Sequence, residues 1–205
     1  MREQYGRDGL SEADLAPDPM TQFGNWFESW AATNPFDANL ATVATVGTDG
    51  WPEARAVLVK GADERGFVFH TNRRSAKGRA IEANGRAALT FVWREIERQI
   101  RVVGDVAHLP DQESDAYFSS RPRGAQIGAW ASDQSAVIAS RVELEARRRE
   151  VEARFPAEVP RPPHWGGYLI SPRRVEFWQG RPDRLHDRLL YRRVDDHWRV
   201  ERLAP

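Results

Sequence analysis

Leu40-Ala-Thr-Val-Ala-Thr-Val46 is a short segment rich in β-branched residues, which favour β-strands. Thr48-Asp-Gly50 has the composition of a tight turn, and Glu53-Ala-Arg-Ala-Val-Leu-Val-Lys60 then runs back as a second strand. Phe67-Val-Phe-His-Thr71 follows as a third strand. Strands joined by such short connections predict an antiparallel meander, which is typical of a barrel or a sandwich rather than of alternating β-α-β units.

Further strands and several helices are expected downstream of this meander. The strands are predicted over residues 86–93, 98–107, 165–170, 174–178, 189–192 and 198–202. Helices are predicted over 20–32, between the N-cap Ser75 and the stop Gly85, over 111–120 and over 136–155. The last helix is expected to turn Val137, Leu144, Val151 and Phe155 inward and to carry Glu143–Arg147, Glu145–Arg149 and Glu150–Arg154 pairs. The fold class is mainly antiparallel β with flanking helices (α+β).

Composition restricts the possible functions. The chain has 205 residues, 30 basic and 30 acidic residues and no cysteine, so its formal net charge is zero and disulfide or thiolate chemistry is excluded. A neutral chain gives no global electrostatic argument for binding nucleic acid or a membrane. No apolar run is long enough to span a membrane, and cytoplasmic location is the default expectation. Residues 1–18 are polar and broken by glycine and proline, which predicts a mobile arm before a single domain over 19–205.

Local groups of cationic residues are the candidate functional features. They are Arg55 with Lys60, the loop 73–77, Arg121 with Arg123, and Arg184 with His186 and Arg188. The loop precedes a predicted helix N-terminus, where free N–H groups and the helix dipole attract anions. The simpler alternative for the loop is a solvated basic turn, and the alternative for Arg121 with Arg123 is that they only cap helix carbonyls. No metal-ligand spacing, Walker loop or dinucleotide-binding glycine motif is present.

The stretch Arg181-Pro-Asp-Arg-Leu-His-Asp-Arg188 lies between two apolar segments and is predicted to enter a strand. Side chains alternate between the faces of a strand, so Arg184, His186 and Arg188 are expected to share one face. Three such groups repel one another unless an anion neutralises them, and a phosphate or a flavin would do so. A solvated edge strand is the alternative.

The sequence resembles the pyridoxine (pyridoxamine) 5′-phosphate oxidase family from its first residues to its last. The matching motifs are Arg55-Ala-Val-Leu-Val-Lys60, Glu97-Arg-Gln99, Ser120-Arg-Pro-Arg123, Gln126-Ile-Gly-Ala-Trp130, Gln134-Ser135, Val175-Glu-Phe-Trp-Gln-Gly180 and Arg184-Leu-His-Asp-Arg188. So many matches in one order make a chance resemblance untenable. The resemblance implies an FMN-binding split β-barrel that works as a homodimer with FMN at the subunit interface.

The resemblance also implies a role for individual residues. FMN contacts are expected at Arg55, Val57, Leu58, Lys60, His70, Thr71, Lys77, Gln99, Gln134, Ser135, Trp178 and Arg188. Substrate contacts are expected at Arg2, Tyr5, Lys60, Tyr117, Arg121, Arg184 and His186, of which Arg184 and His186 are the candidate catalytic pair. Arg2 and Tyr5 belong to the arm over 1–18, which the resemblance makes a lid over the substrate.

The reaction implied by the resemblance is the oxidation of pyridoxamine or pyridoxine 5′-phosphate to pyridoxal 5′-phosphate. Hydride passes to FMN, and dioxygen reoxidises the flavin to give hydrogen peroxide. Three positions depart from the family pattern: Ala76 stands where an arginine is common, Ala125 where a serine is common, and His70 where a tyrosine is common. Two alternatives stay open, a related flavin oxidase for another compound such as a phenazine precursor, and a flavin- or pyridoxal-phosphate-binding protein without turnover.

Overall fold

A closed antiparallel barrel is the centre of the computed structural model, which describes residues 9–205. The strands are β1 (Leu40–Val46), β2 (Pro52–Asp63), β3 (Gly66–Asn72), β4 (Arg86–Trp93), β5 (Arg98–His108), β6 (Trp165–Gln179), β7 (Asp187–Val194) and β8 (His197–Arg202). Their order is β3-β2-β1-β4-β5-β6-β7-β8, and β3 also pairs with β6. This extra pairing closes β1 to β6 into a barrel, and β7 and β8 continue the sheet outside it. The predicted fold class is confirmed.

Five α-helices flank the barrel in the described chain. They are α1 (Pro19–Ala31), α2 (Ala76–Asn84), α3 (Asp111–Ser120), α4 (Arg123–Ala131) and α5 (Arg141–Arg154), with short 3-10 turns at Glu12–Asp14, Arg94–Ile96 and Pro182–Arg184. The predicted ends of α2 are confirmed: Ser75 Oγ accepts a hydrogen bond from the Gly78 N–H at 3.2 Å, and Gly85 ends the helix with a φ of 63°. No described helix is long and apolar enough to cross a membrane.

The aromatic face of α1 packs against core residues of the barrel strands. Phe23, Trp26 and Trp30 are buried, and the Phe23 ring meets the Phe67 ring edge-on at 4.8 Å. Burying each such side chain stabilises the fold by about 1.5–3 kcal/mol. These aromatic residues therefore have a packing role.

Strand β6 connects the barrel to the outer strands. Its first half pairs with β3, its second half pairs with β7, and β5 pairs along nearly all of it. Two separate strands, 165–170 and 174–178, were expected, and that prediction is wrong. A register shift at Val103/Gly104 lets the strand continue past Pro172. The two strands approach so closely there that a side chain at Gly104 would lie 2.2 Å from the Ser171 carbonyl oxygen.

Helix α5 is shorter than the predicted helix over 136–155. It begins after Ser140, whose hydroxyl accepts a hydrogen bond from the Glu143 N–H at 3.2 Å. Val137 is 100% exposed, so the predicted inward stripe is wrong at that residue. The cause is that the residues just before it, Gln134 and Ser135, turn toward β3 and α2 instead of capping a helix.

The ion pairs of α5 match the prediction only in part. The expected pair between Arg147 and Glu143 is present at 2.6 Å. Glu145, however, pairs with Arg141 at 2.9 Å rather than with Arg149. Both arrangements use i,i+4 spacing on a solvated helix, so the choice between them has little energetic consequence.

Residues 9–18, the described end of the expected arm, lie against the sheet. Leu10 is 6% exposed within the main core, and the Ala16 carbonyl accepts a hydrogen bond from the Tyr191 hydroxyl at 2.7 Å. Arg2 and Tyr5 lie outside the described residues, so the lid they are expected to form stays a prediction.

Candidate active site

A cavity of about 500 Å³ opens between β2, β3, helices α2 to α4 and the start of β6. That volume is in the range of cofactor and small-molecule sites. The predicted site residues that line it are Val57, Leu58, Lys60, His70, Thr71, Lys77, Tyr117, Arg121 and Gln134. Elements far apart in sequence thus bring a large part of the expected cofactor and substrate residues to one place.

Lys77, in the first turn of α2, is a buried lysine in the wall of this cavity. Its Nζ donates hydrogen bonds to Thr71 Oγ1 at 3.2 Å and to Gln134 Oε1 at 3.4 Å. Burial, and then the positive charge of Arg55, lower the pKa of this lysine. Neutral acceptors do not compensate a buried ammonium group fully, so an anion bound here would be stabilised.

Arg55 and Ser135 complete the surroundings of Lys77. Arg55 Nη1 donates to Thr45 Oγ1 at 2.7 Å, and its Nη2 pairs with the Glu53 carboxylate. Ser135 has a φ of 73°, and its hydroxyl accepts a hydrogen bond from the Ala76 N–H at 3.2 Å. That N–H belongs to the first turn of α2, so the helix dipole adds to the positive potential of the Arg55 and Lys77 side chains. We call Arg55, Lys77 and this helix end the first cationic corner.

Lys60, Tyr117, Arg121 and His70 form a second cationic corner of the cavity. The His70 ring stacks on the Tyr117 ring at 4.0 Å between centroids. The Arg121 guanidinium lies 4.6 Å from the centroid of the Trp165 ring, a cation–π contact. Ring packing therefore holds His70, Tyr117 and Arg121, whereas neither Lys60 nor Arg121 forms an ion pair with a carboxylate among the described residues.

Polar atoms in the second corner lack partners within the described chain. Both ring nitrogens of His70 and Nη1 of Arg121 are buried without a hydrogen bond. Burial, reinforced by the charges of Arg121 and Lys60 and opposed by Glu113, lowers the pKa of His70 to about 4. The ring is therefore neutral at physiological pH. Orphaned buried donors cost free energy, and a bound anion would satisfy the Arg121 guanidinium.

Three other arginines in or near the predicted clusters, Arg73, Arg79 and Arg123, do not line the cavity. Arg123 donates to the carbonyl groups of Phe155 and Ala157, which is the capping alternative left open by its sequence. The Arg73 guanidinium packs against Gly166, where a side chain would lie 2.5 Å from its Nη2. Arg79 donates to the Arg74 carbonyl. Arg73 and Arg79 thus both contact protein atoms outside the cavity wall.

A second set of predicted residues forms a row on the β5-β6-β7 sheet and does not line the cavity of the same chain. Gln99 lies opposite Trp178, and Trp178 lies opposite Arg188. Residues directly opposite in antiparallel strands share a face, so these three side chains stand next to one another. Arg188 is held by Glu176 at 2.7 Å and by the Ala204 carbonyl at 2.8 Å.

The prediction that Arg184, His186 and Arg188 share one face of a strand is wrong. Strand β7 begins only at Asp187, and Pro182–Arg184 forms a 3-10 turn. Asp183 and Arg184 have φ values of 56° and 63°, a left-handed conformation that interrupts alternation. His186 nevertheless reaches the row, because its ring lies 4.6 Å from the Trp178 ring.

The His186 ring has a defined orientation. Its Nδ1 accepts a hydrogen bond from the Arg181 backbone N–H at 3.1 Å, so the neutral ring carries its proton on Nε2. Burial, and then the charge of Arg184, lower the pKa of His186. Both effects favour the neutral form of the ring.

Sequence reasoning missed two contributors to these sites. Trp165 lines the cavity and supports Arg121, but it was predicted only as a strand residue. Glu176 is 6% exposed and pairs with Arg188 and Arg101. A usable signal existed for Glu176, since a carboxylate inside an otherwise apolar strand requires a cationic partner.

Comparison with known families identifies the chain's relatives. A profile described as pyridoxamine 5′-phosphate oxidase matches residues 30–155, and one described as the pyridoxine 5′-phosphate oxidase C-terminal dimerisation region matches residues 165–205. The chain belongs to the pyridoxamine 5′-phosphate oxidase family. The dimerisation region of this family covers β6 to β8, and therefore contains Trp178, Arg184, His186 and Arg188.

Relatives in the oxidase family are similar over the whole chain. The pyridoxine/pyridoxamine 5′-phosphate oxidase of Burkholderia vietnamiensis (strain G4 / LMG 22486) is 56% identical over 100% of this chain and 97% of its own length. The enzyme of the same name from Rubrobacter xylanophilus (strain DSM 9941 / JCM 11954 / NBRC 16129 / PRD-1) is 55% identical over 100% of this chain and 95% of its own. The resemblance inferred from the motifs is thus confirmed.

Solved structures agree with the fold. PhzG from Burkholderia lata 383, in complex with tetrahydrophenazine-1-carboxylic acid, has a TM-score of 0.90 and 31% identity over 97% of this chain and 98% of its own. A pyridoxamine 5′-phosphate oxidase-related, FMN binding protein from Nostoc punctiforme PCC 73102 has a TM-score of 0.72 and 20% identity over 93% of this chain and 100% of its own. The second likeness shows the fold alone, and both agree with the expected split barrel.

The residues of the cavity fit a phosphorylated flavin by their own chemistry. A buried lysine whose hydrogen-bond partners are neutral needs an anion, and the nearby Arg55 and the N-terminus of α2 suit a phosphate. Val57 and Leu58 supply an apolar wall. The second corner has unpartnered donors for a further anion.

Proposed function

We propose that the chain is an FMN-dependent oxidase that converts pyridoxamine or pyridoxine 5′-phosphate to pyridoxal 5′-phosphate. The observation that carries the proposal is the presence of two cationic corners in one cavity, one at Lys77 and one at Lys60 and Arg121. Two separate anion sites suit a phosphorylated cofactor beside a phosphorylated substrate. Full-length relatives at 55–56% identity that are named pyridoxine/pyridoxamine 5′-phosphate oxidase support the same substrate.

The two corners have different proposed ligands. Lys77, Arg55 and Ser135 hold the FMN phosphate, with Thr71 and Gln134 orienting the lysine. Lys60, Tyr117 and Arg121 hold the substrate phosphate beside His70. The other expected FMN contacts in the cavity wall are Val57, Leu58 and His70. Charge-assisted bonds of this kind bind phosphate about twice as strongly as neutral ones.

We infer that the complete site is formed by two chains. Gln99, Trp178, Arg184, His186 and Arg188 do not line the cavity of their own chain, yet all but Gln99 belong to the dimerisation region. In a homodimer with FMN at the interface, the row of one chain would complete the cavity of the other. A monomeric protein with full flavin affinity would contradict this arrangement.

In the complete site, FMN would supply the redox step by accepting hydride from the substrate 4′ carbon and passing the electrons to dioxygen, which forms hydrogen peroxide. Arg184 and His186 would orient the reacting carbon against the cofactor. The neutral His186 ring holds its proton on Nε2 and can donate it as a hydrogen bond to a substrate oxygen. Lys60 and Arg121 neutralise the phosphate at the opposite end of the substrate.

An anaerobic mixing experiment tests the proposal. Pyridoxamine 5′-phosphate or pyridoxine 5′-phosphate should bleach the flavin absorbance of the holoprotein, and air should restore it with one equivalent of peroxide per pyridoxal 5′-phosphate formed. Binding of pyridoxal 5′-phosphate without bleaching by either substrate would instead indicate a carrier without turnover and would refute the proposal.

A related oxidase for a phenazine precursor is the second candidate. Two observations favour it: the 0.90 TM-score to PhzG, and Ala125 in the cavity wall where the oxidases commonly have a serine. The higher identity to the pyridoxine/pyridoxamine oxidases, 56% against 31%, favours the first candidate. Tetrahydrophenazine-1-carboxylic acid tested in the same assay discriminates the two, because bleaching by this compound alone would establish the second.

A further inference from the structure

We propose that Arg161 is a positioning residue for the second cationic corner, because it holds helix α3 and the start of strand β6 in the relative position that aligns Tyr117 and Arg121. Arg161 lies in the proline-rich connector between α5 and β6 and does not itself line the cavity. The inference rests on the proposed function in one respect, which is that the second corner receives the substrate phosphate.

Arg161 joins these two elements with one guanidinium group. Its Nε donates to Asp115 Oδ1 at 2.5 Å and its Nη2 donates to Asp111 Oδ1 at 2.9 Å, so it binds two consecutive turns of α3. Its Nη1 donates to the carbonyl oxygen of Trp165, the first residue of β6, at 2.6 Å. The Arg161 side chain is only 12% exposed, and its planar group of donors fixes the direction of all three bonds.

A second polar contact between α3 and β6 shows what Arg161 adds. Ser114 is fully buried in the middle of α3, and its hydroxyl accepts a hydrogen bond from the Gly167 N–H at 3.1 Å. A single hydrogen bond fixes one point of a helix but leaves the helix free to tilt about that point. The bonds of Arg161 to the first turns of α3 remove this freedom. A tilt about Ser114 would displace Tyr117, one turn further along, and Arg121, which follows the helix.

The two elements joined by Arg161 also carry the rings that shape the second corner. The Tyr117 ring of α3 and the Trp165 ring of β6 are nearly parallel, at 8°, with centroids 6.2 Å apart. Each also stacks on the His70 ring, at 4.0 Å and 5.3 Å respectively. The Arg121 guanidinium lies over the Trp165 ring. A shift of α3 relative to β6 would therefore misalign the donors of Arg121 that are proposed to hold the phosphate.

The first cationic corner is held by other elements. Lys77 of α2 donates to Thr71 of β3 and to Gln134, which follows α4. These contacts involve neither α3 nor Arg161. Loss of Arg161 should therefore weaken phosphate binding at the second corner and leave FMN binding at the first corner unchanged.

The test uses the full-length protein loaded with FMN and the variants Arg161→Gln and Arg161→Lys. By calorimetry, the dissociation constant of pyridoxal 5′-phosphate should rise about tenfold in Arg161→Gln. It should rise about threefold in Arg161→Lys, because lysine keeps the charge but lacks the planar group of donors. Inorganic phosphate, measured by its competition with pyridoxal 5′-phosphate, should weaken by the same factors. The FMN dissociation constant should stay within about twofold of wild type.

Arg65→Gln is the matched control, because Arg65 also pairs with α3, through Glu113, but links it to Asp63 of β2 instead of to β6. It should leave the dissociation constant of pyridoxal 5′-phosphate within about twofold of wild type. Should the Arg161 variants fail to fold, Asp115→Asn removes one charged partner, keeps the bond of Arg161 to Trp165, and should raise this constant about threefold. A structural role alone would lower the melting temperature without changing this constant. An unchanged constant in the variants, or an equal rise in the control, overturns the inference.

Binding and turnover separate this inference from the proposed function. Absence of flavin reduction by both vitamin phosphates in wild type refutes the function, while the affinity for pyridoxal 5′-phosphate still tests the role of Arg161. In an active wild type, Arg161→Gln should raise the KM for pyridoxamine 5′-phosphate about tenfold and keep kcat within about twofold. An active wild type with an unchanged KM in Arg161→Gln refutes the positioning role alone.

Discussion

Replacement of Glu176 by glutamine should loosen the position of Arg188 in the row on the β5-β6-β7 sheet and weaken flavin binding. The Glu176 side chain is 8% exposed and accepts from Arg188 Nε at 2.7 Å and from Arg101 Nη1 at 3.2 Å. This contact, more than any other cause, raises the pKa of Arg188. Glutamine keeps the shape and one acceptor oxygen but removes the charge between two arginines.

The magnitude follows from the exposure of the two partners. A hydrogen bond to a charged group contributes about 1.5–3 kcal/mol. Arg188 is 25% exposed, so its bond to Glu176 contributes most of this stabilisation. Arg101 is 52% exposed, so water strongly screens its bond to Glu176. We therefore expect a loss of about 2–3 kcal/mol in the free energy of unfolding, which lowers the melting temperature by about 4–12 °C.

Thermal unfolding of the apoprotein and fluorescence titration with FMN measure the two effects. The FMN dissociation constant should rise about tenfold, because Arg188 loses the group that orients it. Glu201→Gln is the control, since Glu201 also pairs with two arginines, Arg192 and Arg199, on the same sheet. An unchanged FMN dissociation constant in Glu176→Gln, or an equal loss in the control, would refute this reasoning.

Three further predictions concern the cavity. Gly78→Ala should destabilise the fold and lose flavin, because its Cβ would lie 2.1 Å from the Arg73 carbonyl oxygen, whereas Gly128→Ala meets nothing within 4 Å and should keep its melting temperature. His70→Phe should flatten the pH dependence of urea unfolding. The unfolded chain takes up a proton below pH 6.5 that the buried ring resists down to about 4. The contribution of His70 to stability is therefore fully present above pH 6.5 and decreases as the pH falls from 6.5 to about 4. Ala125→Ser adds a donor to the cavity wall, which should lower the dissociation constant of pyridoxal 5′-phosphate about tenfold by calorimetry; an unchanged or higher value would contradict it.

Local sequence patterns predicted most elements of the fold because short-range forces decide them. The β-branched run at Leu40, the N-cap Ser75 and the stop Gly85 act within a few residues, and each is present where expected. The predicted boundaries of elements were wrong where a contact between residues distant in sequence determined the end of the element. The helix expected from residue 136 starts at Arg141, since Gln134 and Ser135 bond to Thr71 and Ala76 instead.

The site residues were predicted from sequence motifs, and the fold places them in two separate groups. The family resemblance named Lys60, Lys77 and Arg121, and the structure brings all three to one cavity. The same resemblance named Trp178 and Arg188, which the structure places on a separate row held by the unpredicted Glu176.

The sequence by itself determined the strands of the meander, the caps of α2, the family and the identity of the cationic residues. Only the tertiary structure decided that β3 closes the barrel on β6, that Arg184 lies in a left-handed turn outside the strand, and that Asp187 joins Leu10 to Arg202. The physical reason is range. Propensity and capping act between neighbours along the chain, whereas ion pairs and strand pairing across more than a hundred residues depend on how the whole chain packs.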